Sequence, residues 1–334
     1  MQPNRAELDE RVQTLEIWAS AELEHPVQAE PVATDAGFRR YFRFRTPARS
    51  VIAMDAPPER EGTTAFLRVG ELLRDAGVHV PDILARDTER GFLLLTDLGE
   101  RTWLEVLNDT NAEERFPRAL DALLRMQTAT REGVLPEYDD TLLRRELALF
   151  PDWYLRQHLQ VDPDARLEQQ LNRVFDLLVE HALTQGRVWV HRDFMPRNLM
   201  DSDPDPGVID FQDAVLGPIS YDPICLFKDA FISWPEERVT EWLHQYWSRA
   251  RERALPVPAD FESFHRDCDL MGAHRHLKVL GIFARLRYRD GKPRYLEDAP
   301  RFLAYLRTVI ERREELAPLG AVLERVRATA PEAP

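Results

Sequence analysis

Cysteine is scarce: the 334 residues hold two, Cys225 and Cys268. They form neither a CxxC pair nor a ligand cluster, which excludes a thiolate zinc site and a disulfide framework and suits a reducing compartment. Basic charge is in deficit too, with 44 Lys and Arg against 58 Asp and Glu and a formal net charge of −14. Phosphate backbones and anionic membrane surfaces are held by excess Lys and Arg, so neither nucleic acid nor a membrane is an expected partner. No apolar run approaches the roughly 20 residues needed to cross a bilayer. The first 25 residues carry charges throughout, unlike the apolar core of a signal peptide; the expected location is the cytoplasm, and the expected state a monomer. Internal repeats are missing, and only the final Ala-Thr-Ala-Pro-Glu-Ala-Pro reads as disordered.

What is present is a globular composition, 44% hydrophobic and 31% charged, long enough for about two units at roughly 150 residues each. Leu8, Val12, Leu15 and Trp18 recur at helical spacing. The period then becomes two. In Arg40-Tyr41-Phe42-Arg43-Phe44-Arg45 the two Phe share one face, and with Ala29 to Thr34 and the turn Asp35-Ala36-Gly37 this predicts a hairpin. Ser50 to Met54, Ile83 to Leu84 and Phe92 to Leu95 read as further strands. A helix over 59 to 76 lies among them, with Phe66, Val69, Leu72 and Leu73 inward and Gly77 as its stop. Beyond Asp97-Leu98-Gly99-Glu100 the patterns are helical, around 102–130, 141–159, 164–185, 236–253, 259–289 and 296–328. Strands and helices in separate blocks predict an α+β chain with a small β-rich lobe over 1–98 and a larger helical lobe over 99–334.

One stretch interrupts the helical half: Val188-Trp189-Val190-His191-Arg192-Asp193, then Arg197-Asn198, then Val208-Ile209-Asp210-Phe211. Two apolar runs each deliver an acid, and the loop between carries an Asn. This set suits phosphoryl transfer from a nucleotide, which depends on positioning and charge neutralisation. A carboxylate faces the acceptor hydroxyl, and two oxygen ligands hold Mg²⁺. Asp193 suits the first role, Asn198 and Asp210 the second; the competing reading is that Asp193 and Asn198 cap turns.

At these residues the chain resembles the aminoglycoside phosphotransferase family, whose fold is protein-kinase-like and bilobal. The resemblance makes His191 to Asn198 the catalytic loop and Ile209-Asp210-Phe211 the metal-binding strand. It implies ATP and Mg²⁺, and it makes the acid at Asp222 a prop of the loop, where a plain helix cap is the alternative. Longer strings, Asp35 to Arg43, Met54-Asp55-Ala56-Pro57-Pro58, Asp210 to Ala214 and Arg275 to Arg285, are similar to bacterial anomeric kinases of cell-wall amino sugars. That likeness implies a small-molecule amino sugar phosphorylated at C1, N-acetylmuramic acid or N-acetylglucosamine, in peptidoglycan recycling. Aminoglycoside or other small-alcohol transfer and a nucleotide-binding scaffold without catalysis are the alternatives.

The pattern departs from general kinases at the third strand, where Met54 stands near the usual Lys. Arg39 and Arg40 are the candidates to replace its charge on phosphate, with solvated turn arginines as the other reading. Glu71 either orients one of them or decorates its helix. Thr96, Asp97 and Leu98 form the expected adenine hinge, or an ordinary strand end. Arg197 is expected to neutralise phosphate charge. On the sugar side the candidates are Trp153, Tyr154 and Arg275, the last in a His274-Arg275-His276-Leu277-Lys278 run whose one face can meet an anion or lie on the surface.

Overall fold

The computed structural model describes residues 5–32, 39–60 and 62–329. The Asp35-Ala36-Gly37 turn and the tail beyond Thr329 lie outside the described residues. Contacts cluster into two compact units, Met1–Val106 with Leu199–Asp213, and Leu107–Asn198 with Ala214–Pro334.

The first unit is built on a five-stranded antiparallel sheet of order β1-β2-β3-β5-β4. Its strands are β1 (Glu30–Pro31), β2 (Arg40–Arg45), β3 (Ser50–Asp55), β4 (Ile83–Asp87) and β5 (Phe92–Thr96). Register pairs Phe42 with Ala53, Phe44 with Val51 and Ala53 with Leu94, so the period of two puts these residues on one face. Helix α1 (Arg5–Glu22) covers that face with Leu15, Trp18 and Ala19, and the Trp18 and Phe92 rings lie 5.8 Å apart. Each large apolar side chain buried there contributes about 1.5–3 kcal/mol.

Helix α2 (Thr64–Asp75) turns Phe66, Val69, Gly70 and Leu73 inward. It starts later than the periodicity suggested, beyond Pro57-Pro58, and stops at Gly77, whose φ of 75° is left-handed as a C-terminal glycine requires. A single cut after Leu98 does not separate the units. Strands β7 (Leu199–Met200) and β8 (Gly207–Val208) pair with each other and bond back to the first unit: the Val208 N–H to His79 O at 2.7 Å and the Asp201 N–H to Arg101 O at 2.9 Å.

The second unit is helical: α4 (Ala112–Thr128), α5 (Asp140–Leu147), α6 (Ala165–Thr184), α7 (Tyr221–Phe227), α8 (Glu236–Glu252), α9 (Phe261–Tyr288), α10 (Ala299–Arg312) and α11 (Ala317–Thr329). A two-stranded insert, β6 (Arg187–Val190) with β9 (Val215–Pro218), carries the loop of interest. Three expected helices are divided, the 141–159 pattern into α5 and a π-helical turn over Phe150–His158. The 102–130 pattern splits into α3 (Trp103–Val106) and α4, because the Asn108 side chain takes the N–H groups of Thr110 and Asn111 in a turn. The 296–328 pattern breaks at Arg313, whose extended backbone accompanies a 2.8 Å bond from its guanidinium to buried Asp269.

Helix α9 is the axis of this unit. A Cβ on Gly281 would lie 2.3 Å from the Leu149 carbonyl carbon, so only glycine admits the π-helical turn Phe150–His158 against it. Both cysteines are free and buried. No helix among the described residues is long and apolar enough to cross a membrane.

Candidate active site

Strand β6 ends in the loop His191 to Asn198. The buried carboxylate of Asp222, on the first turn of α7, accepts the His191 N–H at 2.7 Å and the Arg192 N–H at 3.0 Å. It props the loop rather than capping its own helix, since the N-cap of α7 is Ser220. Burial pushes the Asp222 pKa up to about 7 against the pull of those two N–H groups. Arg192 has a left-handed φ of 75°, a conformation that costs a side chain about 1 kcal/mol or more.

Asp193 follows. Its carbonyl accepts the Asn198 amide at 2.9 Å and the Met195 N–H at 3.0 Å, and its own N–H reaches His191 Nδ1 at 3.3 Å. The loop is thereby closed around its backbone. The half-buried Asp193 carboxylate has no hydrogen-bond or ion-pair partner among the described residues. Arg197 lays its guanidinium over the Phe231 ring at 5.2 Å, in the α7–α8 connection.

The amide of Asn198, donating to Asp193, points its nitrogen into the loop and leaves an oxygen as its other polar end. In the first unit Asp210 has a left-handed φ of 63° and accepts the Gln212 amide at 2.8 Å. An amide oxygen and a carboxylate are hard donors of the kind Mg²⁺ takes.

The remaining candidates divide. Arg40 is committed to buried Asp55 at the end of β3, through Nε at 3.1 Å, and Arg11 of α1 joins the same carboxylate at 3.1 Å. Arg39 is half-buried beside it. Glu71 bonds to neither arginine; it lies exposed in a groove of about 340 Å³ with Leu67, Arg74, Ile83 and Arg86. At the expected hinge the Thr96 hydroxyl accepts the Asp82 N–H at 2.8 Å. The Asp97 carboxylate accepts Arg43 at 2.7 and 3.0 Å and the Gly99 N–H at 3.0 Å. Burial opposes ionisation of Asp97, but Arg43 and the other donors hold its pKa below the usual carboxylate value. Leu98 packs on Gly207, where a Cβ would meet it at 2.7 Å.

Tyr154 is a core residue stacked on Phe150 at 5.5 Å, with burial raising its hydroxyl to about 12; Trp153 beside it is half-buried. The His274 to Lys278 run is no outer face. His274, Arg275, His276 and Lys278 are all buried, because α9 is surrounded by other helices. Arg275 donates to the Lys228 carbonyl at 3.2 Å and packs on Met195 Sδ of the loop at 3.9 Å. Sequence reasoning missed Glu146 of α5, whose carboxylate accepts Arg192, Lys278 and the Tyr138 hydroxyl. Nothing in an isolated Arg-Glu-Leu helix distinguishes a buried acid from a surface one.

A half-buried, unpaired carboxylate on a strained loop and two hard oxygen donors are the parts of a kinase, and residues 28–261 match the sequence profile described as the phosphotransferase enzyme family. The chain belongs to that family. It is an enzyme that transfers a phosphoryl group to an alcohol acceptor. This phosphotransferase is 54% identical over 326 residues, 94% of its own length and 96% of the other's, to the N-acetylmuramate/N-acetylglucosamine kinase of Pseudomonas aeruginosa. It is 47% identical to the protein of that name in Neisseria meningitidis, over 87% and 88% of the two chains. Among solved structures it is similar to an ethanolamine kinase from Plasmodium vivax, with a TM-score of 0.65 at 10% identity over 91% and 90% of the chains. The choline kinase LicA from Streptococcus pneumoniae gives 0.62 at 18% identity over 89% and 98%. Identities this low carry the kinase-like fold alone.

Proposed function

We propose that this phosphotransferase is an ATP-dependent amino-sugar kinase that phosphorylates the anomeric C1 hydroxyl of N-acetylmuramic acid and N-acetylglucosamine. The observation that carries the reading is the 54% identity to a kinase of those two sugars across 94% of the chain. Peptidoglycan recycling in the cytoplasm, by a monomer, is the matching setting.

In this mechanism Asp193 orients the acceptor hydroxyl and takes its proton as the new O–P bond forms and the bond to the ADP oxygen breaks. No covalent enzyme intermediate is needed. Asn198 and Asp210 would hold Mg²⁺, which supplies charge neutralisation on the phosphates when bound. Arg197 leaves its perch on Phe231 to meet phosphate charge, Arg39 and Arg40 serve the phosphate side, and Thr96 to Leu98 offer backbone groups to adenine. Arg40 acts there through Asp55, as part of the scaffold where β2 begins and β3 ends, and Glu71 contributes no bond to it. Arg275 shapes the sugar side by holding the Lys228 carbonyl and Met195. Trp153 and Tyr154 belong to the packing behind that side.

The test is ADP release from Mg²⁺·ATP with N-acetylmuramate, N-acetylglucosamine and kanamycin in parallel. Turnover with the two sugars and an acid-labile product, as a C1 acetal phosphate must be, is the expected result. Turnover with kanamycin alone, or an acid-stable sugar phosphate, would replace this reading with a different alcohol acceptor.

A further inference from the structure

The residue before Asp193 is held from three directions. Arg192 keeps a left-handed φ of 75°, and such strain persists only where the surroundings over-determine it. Its backbone N–H is fixed by Asp222 at 3.0 Å, and the Cys225 thiol contacts its carbonyl at 3.6 Å. The third direction is its side chain. The guanidinium lies over the Tyr138 ring at 5.6 Å and pairs with the Glu146 carboxylate. Glu146 sits on α5, and Lys278 of α9 meets the same carboxylate at 2.9 Å while donating to the Tyr221 hydroxyl at 3.0 Å.

One acid between two cations, drawn from segments near 146, 192 and 278, is a costly arrangement to bury. Desolvation opposes it, and a well-packed apolar set in its place is often as stable or more so. Stability therefore does not account for it. Burial alone would raise the Glu146 pKa, but Lys278 and Arg192 bring it down to about 2, so the carboxylate stays ionised. Burial holds neighbouring His274 neutral, with a pKa lowered to about 4, and no third cation is added. The chain has three lysines. This one is spent inside, its ammonium committed to Glu146 and Tyr221, so it is not available to a substrate anion.

We propose that Glu146 and Lys278 are positioning residues for phosphoryl transfer. Glu146 grips the Arg192 guanidinium, this keeps Arg192 in its left-handed conformation, and the conformation sets the direction in which Asp193 presents its carboxylate. Lys278 holds Glu146 in place between α5 and α9. The inference rests on Asp193 acting as the base, as assigned above.

The experiment pairs structure with kinetics on the full chain. In crystal structures of Glu146→Gln and Lys278→Met, Arg192 should leave φ near 75° and the Asp193 carboxylate should move. In turnover, kcat should fall roughly 10- to 100-fold, as for a misplaced catalytic group, while KM for ATP and for the sugar stays within about twofold. The Glu146→Gln/Arg192→Met double variant should be no slower than the slower single, and Lys278→Arg should recover most of the rate. Active-site concentration from ADP titration normalises kcat, so a merely destabilised enzyme reads as fewer sites rather than slower ones. An unmoved Arg192 and Asp193, an unchanged kcat per site, or additive losses would each overturn the proposal. If Glu146→Gln does not fold, Lys278→Met and Lys278→Arg carry the test. Should the wild type turn over neither sugar, the substrate reading alone falls, and the crystal structures still decide this one.

Discussion

In the sheet of the first unit every acid of interest is met by arginine: Asp55 accepts Arg11 and Arg40, and Asp97 accepts Arg43. In the second unit the Asp193 carboxylate has no such partner among the described residues, although the fields of Arg192, Arg275 and Lys278 reach it. The contrast separates two uses of the same side chain. A paired carboxylate locks elements together: the Asp55 site ties α1 to the ends of β2 and β3, and Asp97 ties the end of β5 to β2. An unpaired one, fixed through its backbone, has oxygens that no side chain of the loop engages. The pairing also ties Arg40 and Arg43 into the sheet scaffold.

The largest break in this contrast is Asp193→Asn. With the only unpaired acid of the loop removed, turnover should fall about 10²- to 10⁴-fold, the range of a general base, with ATP affinity by calorimetry nearly unchanged. Retained turnover would remove Asp193 from the mechanism. Next is Asp55→Asn, which leaves two guanidiniums beside a neutral amide. Losing one partner of a buried ion pair costs about 3–5 kcal/mol, so the denaturation midpoint should drop well below wild type; an unchanged midpoint would show the pairing to be incidental.

A smaller effect sharpens the contrast through pH. The Asp222 carboxyl, at about 7 in the folded chain against roughly 4 when unfolded, is protonated between those values only in the folded state. Its contribution to stability therefore falls as pH rises from about 4 to about 7. Glu146 runs the other way: with its pKa lowered to about 2, its contribution is present above about 4.5 and is lost as pH falls toward 2. Denaturation of wild type and Asp222→Asn at pH 5 and pH 8 should show the wild-type advantage shrinking at the higher pH. Growth of that advantage would contradict the buried-acid assignment. Smallest is Arg45→Ala. Arg45 pairs with Glu30 and Glu100, but all three are exposed, and solvent screens such pairs. The melting temperature should stay at the wild-type value, and a clear drop would mean that surface pairing also holds this sheet.

Much of this was readable in the chain. The alternating run became β2, two short apolar runs became β3 and β5, the late helical patterns became α6, α8 and α9, and the His191 to Asn198 spacing closed into a loop. Helix breaks were not readable, because they depend on where Asn108 and Arg313 find partners. Nor was the fate of the charges around α9. In sequence, His274 to Lys278 looks like a solvated face, and only the packing of α5, α7 and α10 around that helix turns it inward.

By itself the sequence determined which groups stand at which spacing: a carboxylate after a His-Arg, an amide five residues on, a second acid beyond an apolar run, and a methionine near the place of the third-strand lysine. Such local facts follow from spacing and side-chain chemistry. Which acids are neutralised and which remain for chemistry, which cations are free, and why Arg192 holds a strained backbone were decided by tertiary structure alone. Burial and ion pairing act between residues tens to more than a hundred positions apart, and no local pattern records whom a charge will meet.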